Sequence, residues 1–322
     1  MINWIKKAIT NLSPKKTLLF YRDFQGLTGG HLKVWHYFQH SLDSHQYQPK
    51  IYFSPNTIWQ NNPWQEIPTQ QKWETEQPTD CLFLAGTDWQ TLPISQRQTS
   101  KQPIINLIQG LRHADPNQPL RQFLSHKAIR ICVSKEVKSV LEATGEVNGP
   151  LFANPNGLDV LSMPASNNKK SIRLLIIGIK QIQLAQKIKT TLLEKGIQTT
   201  LLEQMLPRPL FLEQLAQADI CLFLPCKVEG FYLPALEAMH LGSLVICPDC
   251  IGNRSFCLDK QTCLCPTYTE QAILAAIQQA LYLSQTEKQR IITSAKQITQ
   301  QHTLAKEKKY FLDILDNVQQ LW

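Results

Sequence analysis

Apolar positions along this chain fall into two alternating patterns. Short runs of strand length, Thr17–Tyr21 (TLLFY), Lys50–Phe53, Cys81–Ala85, Ile104–Ile108 and Ile129–Val133, are separated by segments whose apolar residues return at helical spacing. The segment opened by Gly29 and Gly30 carries Leu32, Val34, Trp35 and Phe38, and Ser134 is placed to cap a helix running through Leu141. A turn at Asn154-Pro155-Asn156-Gly157 and a polar stretch, Ser166–Lys170, interrupt the series and predict a domain boundary. A second series follows: strand Arg173–Ile177, a helix through Lys195, strand Thr199–Leu202, helix Pro209–Ala218 and strand Ile220–Leu224. Helix Pro234–Leu241, stopped by Gly242, and strand Leu244–Cys247 complete it, and Phe311, Ile314, Leu315, Val318 and Trp322 form one stripe on the closing helices. Two strand–helix series of domain size predict an α/β protein with two parallel-sheet domains facing a cleft. The expected division is 1–160, 161–300 and a C-terminal helical segment, 301–322, packing back across the domains.

Two segments depart from this alternation. Residues 1–12 place Ile2, Trp4, Ile5, Ala8, Ile9 and Leu12 on one arc opposite Lys6 and Lys7. Such a helix either packs on its own domain or rests on an anionic membrane face. Residues 54–79, rich in Pro, Gln and Trp (Trp59, Trp64, Trp73), lack a period and predict a loop excursion. Over 322 residues, 43% hydrophobic content suffices for real cores and argues against disorder. The balance of 33 basic against 25 acidic residues leaves +8, which suits an anionic ligand or an anionic membrane surface. No apolar run approaches the ~20 residues of a membrane span, and the N-terminus lacks the apolar core of a secretion signal. Nine cysteines, an odd number, then predict a reduced, cytoplasmic setting, with a peripheral position on the inner membrane face open through residues 1–12. Cys247-Pro-Asp-Cys250 has zinc half-site spacing, but Cys263 and Cys265 lie in a strand-like run (TCLCP) rather than a second knuckle, so no metal is expected.

The chemistry concentrates in Leu224–Gly242, LPCKVEGFYLPALEAMHLG. A buried strand ends at Pro225, a loop presents Glu229 and Gly230, and Pro234 sits in the first turn of a helix, where its missing N–H costs nothing. The amides around that turn form an anion site, and Gly230 lets backbone approach a ligand. Glu229 and Glu237, eight positions apart, can accept hydroxyl hydrogen bonds at two ends of one ligand whose middle is a diphosphate. A sugar nucleotide has that layout.

EGFYLPALEAM resembles the E-x7-E motif of retaining GT-B glycosyltransferases, particularly family 4 (glycosyl transferases group 1), whose usual form is EGFGLPxLEAM. GLTGGHLKVW (Gly26–Trp35) is similar to that family's N-terminal glycine loop. ICVSKEV (Ile131–Val137), NPNGLD (Asn154–Asp159) and IGNRSFCLDKQTCLCP (Ile251–Pro266) resemble its pre-linker strand, its linker and its GG-x-PE-(I/V)V segment. The resemblance implies a GT-B fold of two Rossmann-like domains, an acceptor domain followed by a nucleotide-sugar donor domain. It implies that Glu229 contacts the donor sugar, that Phe231, Tyr232 and Leu233 offer backbone amides, and that Glu237 holds the ribose. Gly29 and Gly30 would approach the diphosphate from across the cleft.

Two departures matter. The family's Gly-Arg and later Lys, which neutralise the leaving diphosphate, are replaced here by Gly178-Ile179-Lys180. Lys180 is the first candidate for that catalytic role, with Arg208 or Arg254 reaching in. Where many relatives place a sugar-contacting His, this chain has Gln109, with His113 four residues on. The implied reaction is transfer from a UDP- or GDP-linked sugar to a glycan, lipid or small-molecule acceptor, with retained configuration and without metal, as in polysaccharide biosynthesis. The alternative is a sugar-nucleotide-binding or scaffolding protein of the same fold, motivated by the missing cation pair. A nucleic-acid partner rests on charge and tryptophans alone and is not expected.

Overall fold

A computed structural model describes residues 14–67, 79–165 and 170–322. The amphipathic stretch at 1–12, Trp73 and positions 166–169 of the polar stretch lie outside them. Strands β1 (Lys16–Arg22), β2 (Tyr47–Phe53), β3 (Cys81–Ala85), β4 (Ile104–Ile108), β5 (Ile129–Cys132) and β6 (Leu151–Ala153) form a parallel sheet in the order β2-β1-β3-β4-β5-β6. β3, β4 and β5 are buried at every position, which is why their sequences run apolar without alternation. Helices α1 (Gly29–Ser41), α2 (Ile94–Thr99) and α3 (Lys135–Glu142) belong to this lobe. Thr28 Oγ1 caps α1 at His31 N (3.3 Å), and Ser134 Oγ caps α3 at Val137 N (3.1 Å).

The second sheet takes the order β10-β9-β7-β8 from β7 (Ile172–Ile177), β8 (Thr200–Leu202), β9 (Ala218–Phe223) and β10 (Leu244–Ile246), again all parallel. Its helices are α4 (Ile182–Glu194), α5 (Arg208–Gln217), α6 (Leu233–His240), α7 (Glu270–Tyr282) and α8 (Gln285–Thr299). No described helix is long and apolar enough to cross a membrane.

The chain then returns to the first lobe. α9 (Leu304–Asp316) lays Phe311 edge-on against Tyr37 of α1 (4.9 Å) and Phe83 of β3 (6.0 Å), and the short α10 (Val318–Leu321) follows. Where it re-enters, Leu158 N donates to His302 O at 3.0 Å. A Cβ on Gly157 would fall 2.5 Å from Leu304 N, so only glycine lets these two crossings lie against each other.

The described part of the aperiodic segment, 54–67, contains turns but no strand or α-helix. Its tryptophans part company: Trp64 is fully buried against Trp35 (5.2 Å), whereas Trp59 stays 42% exposed beside Phe53 (4.8 Å).

Arg130 of β5 is completely buried without a carboxylate partner and instead donates to the carbonyls of Phe123, Leu124, His126, Ala128 and Asn148. Burial pushes its pKa down to about 10. The guanidinium gathers carbonyls of residues 123–128 and of Asn148, adding to the backbone amides that Leu124 O and Asn148 O already accept. Arg130→Met should therefore lower global stability by about 3 kcal/mol in urea titration. An unchanged midpoint would show that the loop carbonyls find other donors.

Candidate active site

β9 delivers the chain to the cleft end of the second sheet, and Tyr268 Oη fixes the exit by donating to Pro225 O at 2.6 Å. The loop then turns, with Glu229 N donating to Cys226 O (3.2 Å), and α6 begins at Leu233. No side chain caps α6. Pro234 contributes no N–H, so the positive end of the helix faces the loop without an internal counter-charge.

Glu229 and Glu237 each hold a cation. Glu229 pairs with Nζ of Lys180, which stands just beyond β7 and lies 5.6 Å from the ring centre of Tyr232. Glu237, 1% exposed in α6, accepts from Arg208 Nη2 at 2.7 Å. Arg208 opens α5, so three successive strand–helix junctions, β7–α4, β8–α5 and β9–α6, supply the four charged side chains. That is the carboxyl edge of the sheet, where an open α/β sheet presents ligand groups.

The first lobe meets this loop directly. Gly110 and Glu229 form an isolated antiparallel bridge. A Cβ on Gly230 would lie 2.7 Å from the carbonyl carbon of Gln109 and 2.8 Å from Gly110 Cα. Gln109 in turn donates from Nε2 to Gly30 O at 3.2 Å. Gly30, Gln109, Glu229, Gly230 and Lys180 thus converge, although they come from both lobes.

Other expected residues stand elsewhere or are spent otherwise. The amide of Tyr232 donates to Gly252 O (2.9 Å) and that of Leu233 to Phe231 O (3.2 Å), which corrects the expectation that both are open to a ligand. The cause is close backing of the loop: a Cβ on Gly252 would fall 2.6 Å from Phe231 N. Arg254 is not at either carboxylate; it forms a two-pronged, half-exposed pair with Asp249 at 2.8 and 2.7 Å. His113 is buried, and desolvation lowers its pKa to about 4 despite a hydrogen bond with the Gly110 backbone, so the ring is neutral. Gly29 is exposed with open space where a Cβ would stand.

All nine cysteines are free thiols. Cys247 accepts from Asn253 Nδ2 at 3.2 Å, and Cys265 Sγ donates to Cys247 O at 3.1 Å. Among the described residues, no group of three or more His, Cys, Asp or Glu could hold a metal ion.

Sequence reasoning did not anticipate the Gly252 contact or which carboxylate each cation would choose. Both depend on how separate strand–helix units are packed. A glycine in an irregular stretch was the one available sign of close approach at 252.

Residues 147–282 match the family model described as glycosyl transferases group 1. That stretch contains Lys180, Arg208, Glu229 and Glu237. No curated protein matches the chain. Among solved structures, HepE of Anabaena in complex with UDP-glucose superposes with a TM-score of 0.71 at 12% identity, covering 94% of this chain and 100% of its own. A glycosyltransferase from Rickettsia africae gives 0.70 at 12%, covering 95% and 99%. Sucrose-phosphate synthase from Thermosynechococcus elongatus gives 0.69 at 12%, covering 95% and 100%. At such identities the likeness establishes the fold, which is the GT-B arrangement of glycosyltransferases.

Proposed function

We propose that this protein is a retaining glycosyltransferase that moves a sugar from a UDP- or GDP-linked donor to a glycan or lipid acceptor. The observation that carries the reading is the pair of carboxylates, Glu229 and Glu237, each holding a cation beside an uncapped helix N-terminus at the meeting of two lobes. When a donor enters, its ribose hydroxyls take over Glu237 and its sugar hydroxyls take over Glu229. The released Lys180 and Arg208 then turn to the diphosphate. Charge growing on the leaving group is met by these two cations and by the α6 dipole, positioned beforehand, so the reaction needs no metal. Gln109 reaches the sugar from the opposite lobe, and Gly30 keeps that approach narrow. Residues 161–300 serve the donor, residues 1–160 the acceptor, with residues 301–322 tying the two together. Acceptor choice falls to the segment 54–79 and to Gln109–Asp115, within a cytoplasmic polysaccharide pathway that meets the membrane peripherally.

The test is a thermal-shift screen with UDP, GDP, ADP and their sugars, followed by turnover of the stabilising donor. At one hundred times Kd, selective binding adds about 2.7 kcal/mol, a rise of several degrees. Glu229→Gln should cut donor turnover, including slow hydrolysis, by roughly 10²- to 10³-fold. Stabilisation without any turnover in the native protein would favour the scaffolding alternative. No stabilisation by any nucleotide would reject both.

A further inference from the structure

A buried ion pair lies where the chain crosses between the lobes. Lys33, one turn into α1, and Glu307, at the start of α9, are each 1% exposed and joined by Nζ to Oε2. Lys33 also donates to Gly157 O (3.3 Å) and to His36 Nδ1 (3.0 Å). Glu307 accepts from Gly157 N (2.5 Å) and His40 Nε2 (3.0 Å), and its carbonyl accepts from Asn154 Nδ2 (3.0 Å). One salt bridge therefore clamps the outgoing crossing at 154–157, the returning crossing at 302–307, and the helix whose first residues, Gly29 and Gly30, face the cleft.

Burying two charges is costly, and an apolar pair of similar volume would often be as stable. Stability alone is thus a weak reason for these residues here. Burial opposes ionisation of Glu307, but Lys33 and then His40 outweigh it and hold its pKa at about 2, so the carboxylate is charged. Lys33 and His36 also lie within the field of Arg208, the cation paired with Glu237 in the other lobe.

We propose that Lys33 and Glu307 are positioning residues: their pair fixes the angle between the lobes and so holds Gly30 and Gln109 against Glu229 and Gly230. The pair sets the closed arrangement, and the donor site is complete only in it. This rests on the donor reading above for its kinetic consequence but not for its structural one.

The test uses the full chain carrying Lys33→Met together with Glu307→Gln. This variant removes both charges and keeps an acceptor for Gly157 N. Small-angle X-ray scattering of the unliganded protein should show a larger radius of gyration than the native chain, with a cooperative melt retained. With the donor found in the screen, KM should rise about tenfold, and saturating donor should bring the scattering curve back toward native. Glu307→Gln alone is the milder variant should the double one fail to fold, with the same scattering change expected. A folded variant whose scattering matches the native curve would overturn the proposal. A native protein that binds no nucleotide would instead defeat the donor reading and leave the scattering result to decide this one.

Discussion

Gly230→Ala should cut the proposed sugar transfer at least about 100-fold while leaving both lobes folded. The added methyl would meet the Gln109 carbonyl carbon at 2.7 Å and Gly110 Cα at 2.8 Å. Both are backbone atoms of the opposite lobe, so no flexible side-chain end can swing aside. Only a shift of about 1 Å between the lobes relieves the overlap, and a misplacement of that size costs on the order of 100-fold in rate. The change leaves the sheets and helices of the second lobe untouched, and Gly230 is not among the glycines with positive φ, so no backbone strain is added. The expected result is a drop in kcat of at least about 100-fold, with affinity for the nucleotide found in the screen within about threefold of native and an unchanged circular dichroism spectrum. Nucleotide affinity should hold because Glu237, Arg208 and Lys180 all belong to the lobe that carries the substitution. Near-native turnover would mean that the contact of Gln109 with Gly230 is not part of the working arrangement.

Mild acid should destabilise the native protein well before its carboxylates titrate. Burial pushes His36 down to about 3 and His113 and His302 down to about 4, and each has a ring nitrogen without a partner among the described residues. His31, half-buried, falls to about 4 for the same reason. All stay neutral in the folded state, whereas the unfolded chain takes up their protons below about pH 6.5. The stability they contribute is therefore complete above pH 6.5 and is lost as pH falls toward the folded values between 4 and 3. At pH 5 each of the three most buried rings costs roughly 2 kcal/mol, enough together to lower Tm by about 10 °C or more. Glu307 adds to the loss only below about pH 4.5, where the unfolded carboxylate protonates and the folded one, at about 2, does not. Calorimetry from pH 7.5 to pH 4.5 should show this decline together with an uptake of about three to four protons on unfolding. A flat Tm between pH 7.5 and 5.5 would contradict it.

The same histidines show how far a linear reading reaches. His113 in RHAD stands four residues from Gln109, close enough in sequence to be weighed as a site residue. Its burial depends on the short turn Leu111–His113 packing against the turn at Pro119–Ser125 and against α3, which no local pattern announces. His302 carries no signal in the sequence, yet it packs on Phe231 (5.4 Å) and Phe256 (5.9 Å) at the point where the chain changes lobes.

Periodicity and local chemistry were enough for every strand except the three-residue β6, for helices α1 and α3 to α6, for the Ser134 cap and for the parallel two-sheet class. Those features depend on neighbours within a few residues and on which faces must leave water. The acids of EGFYLPALEAM were legible for the same reason: one loop and one helical turn set their spacing. Pairing was another matter. Lys180 is 49 residues from Glu229, and Lys33 is 274 from Glu307. Which charges meet over such separations follows from the stacking of whole units and from the return of α9, because Coulomb attraction acts through space and is strongest where water has been excluded. Arg254 illustrates the converse: a nearby Asp249 captured it before any distant site could.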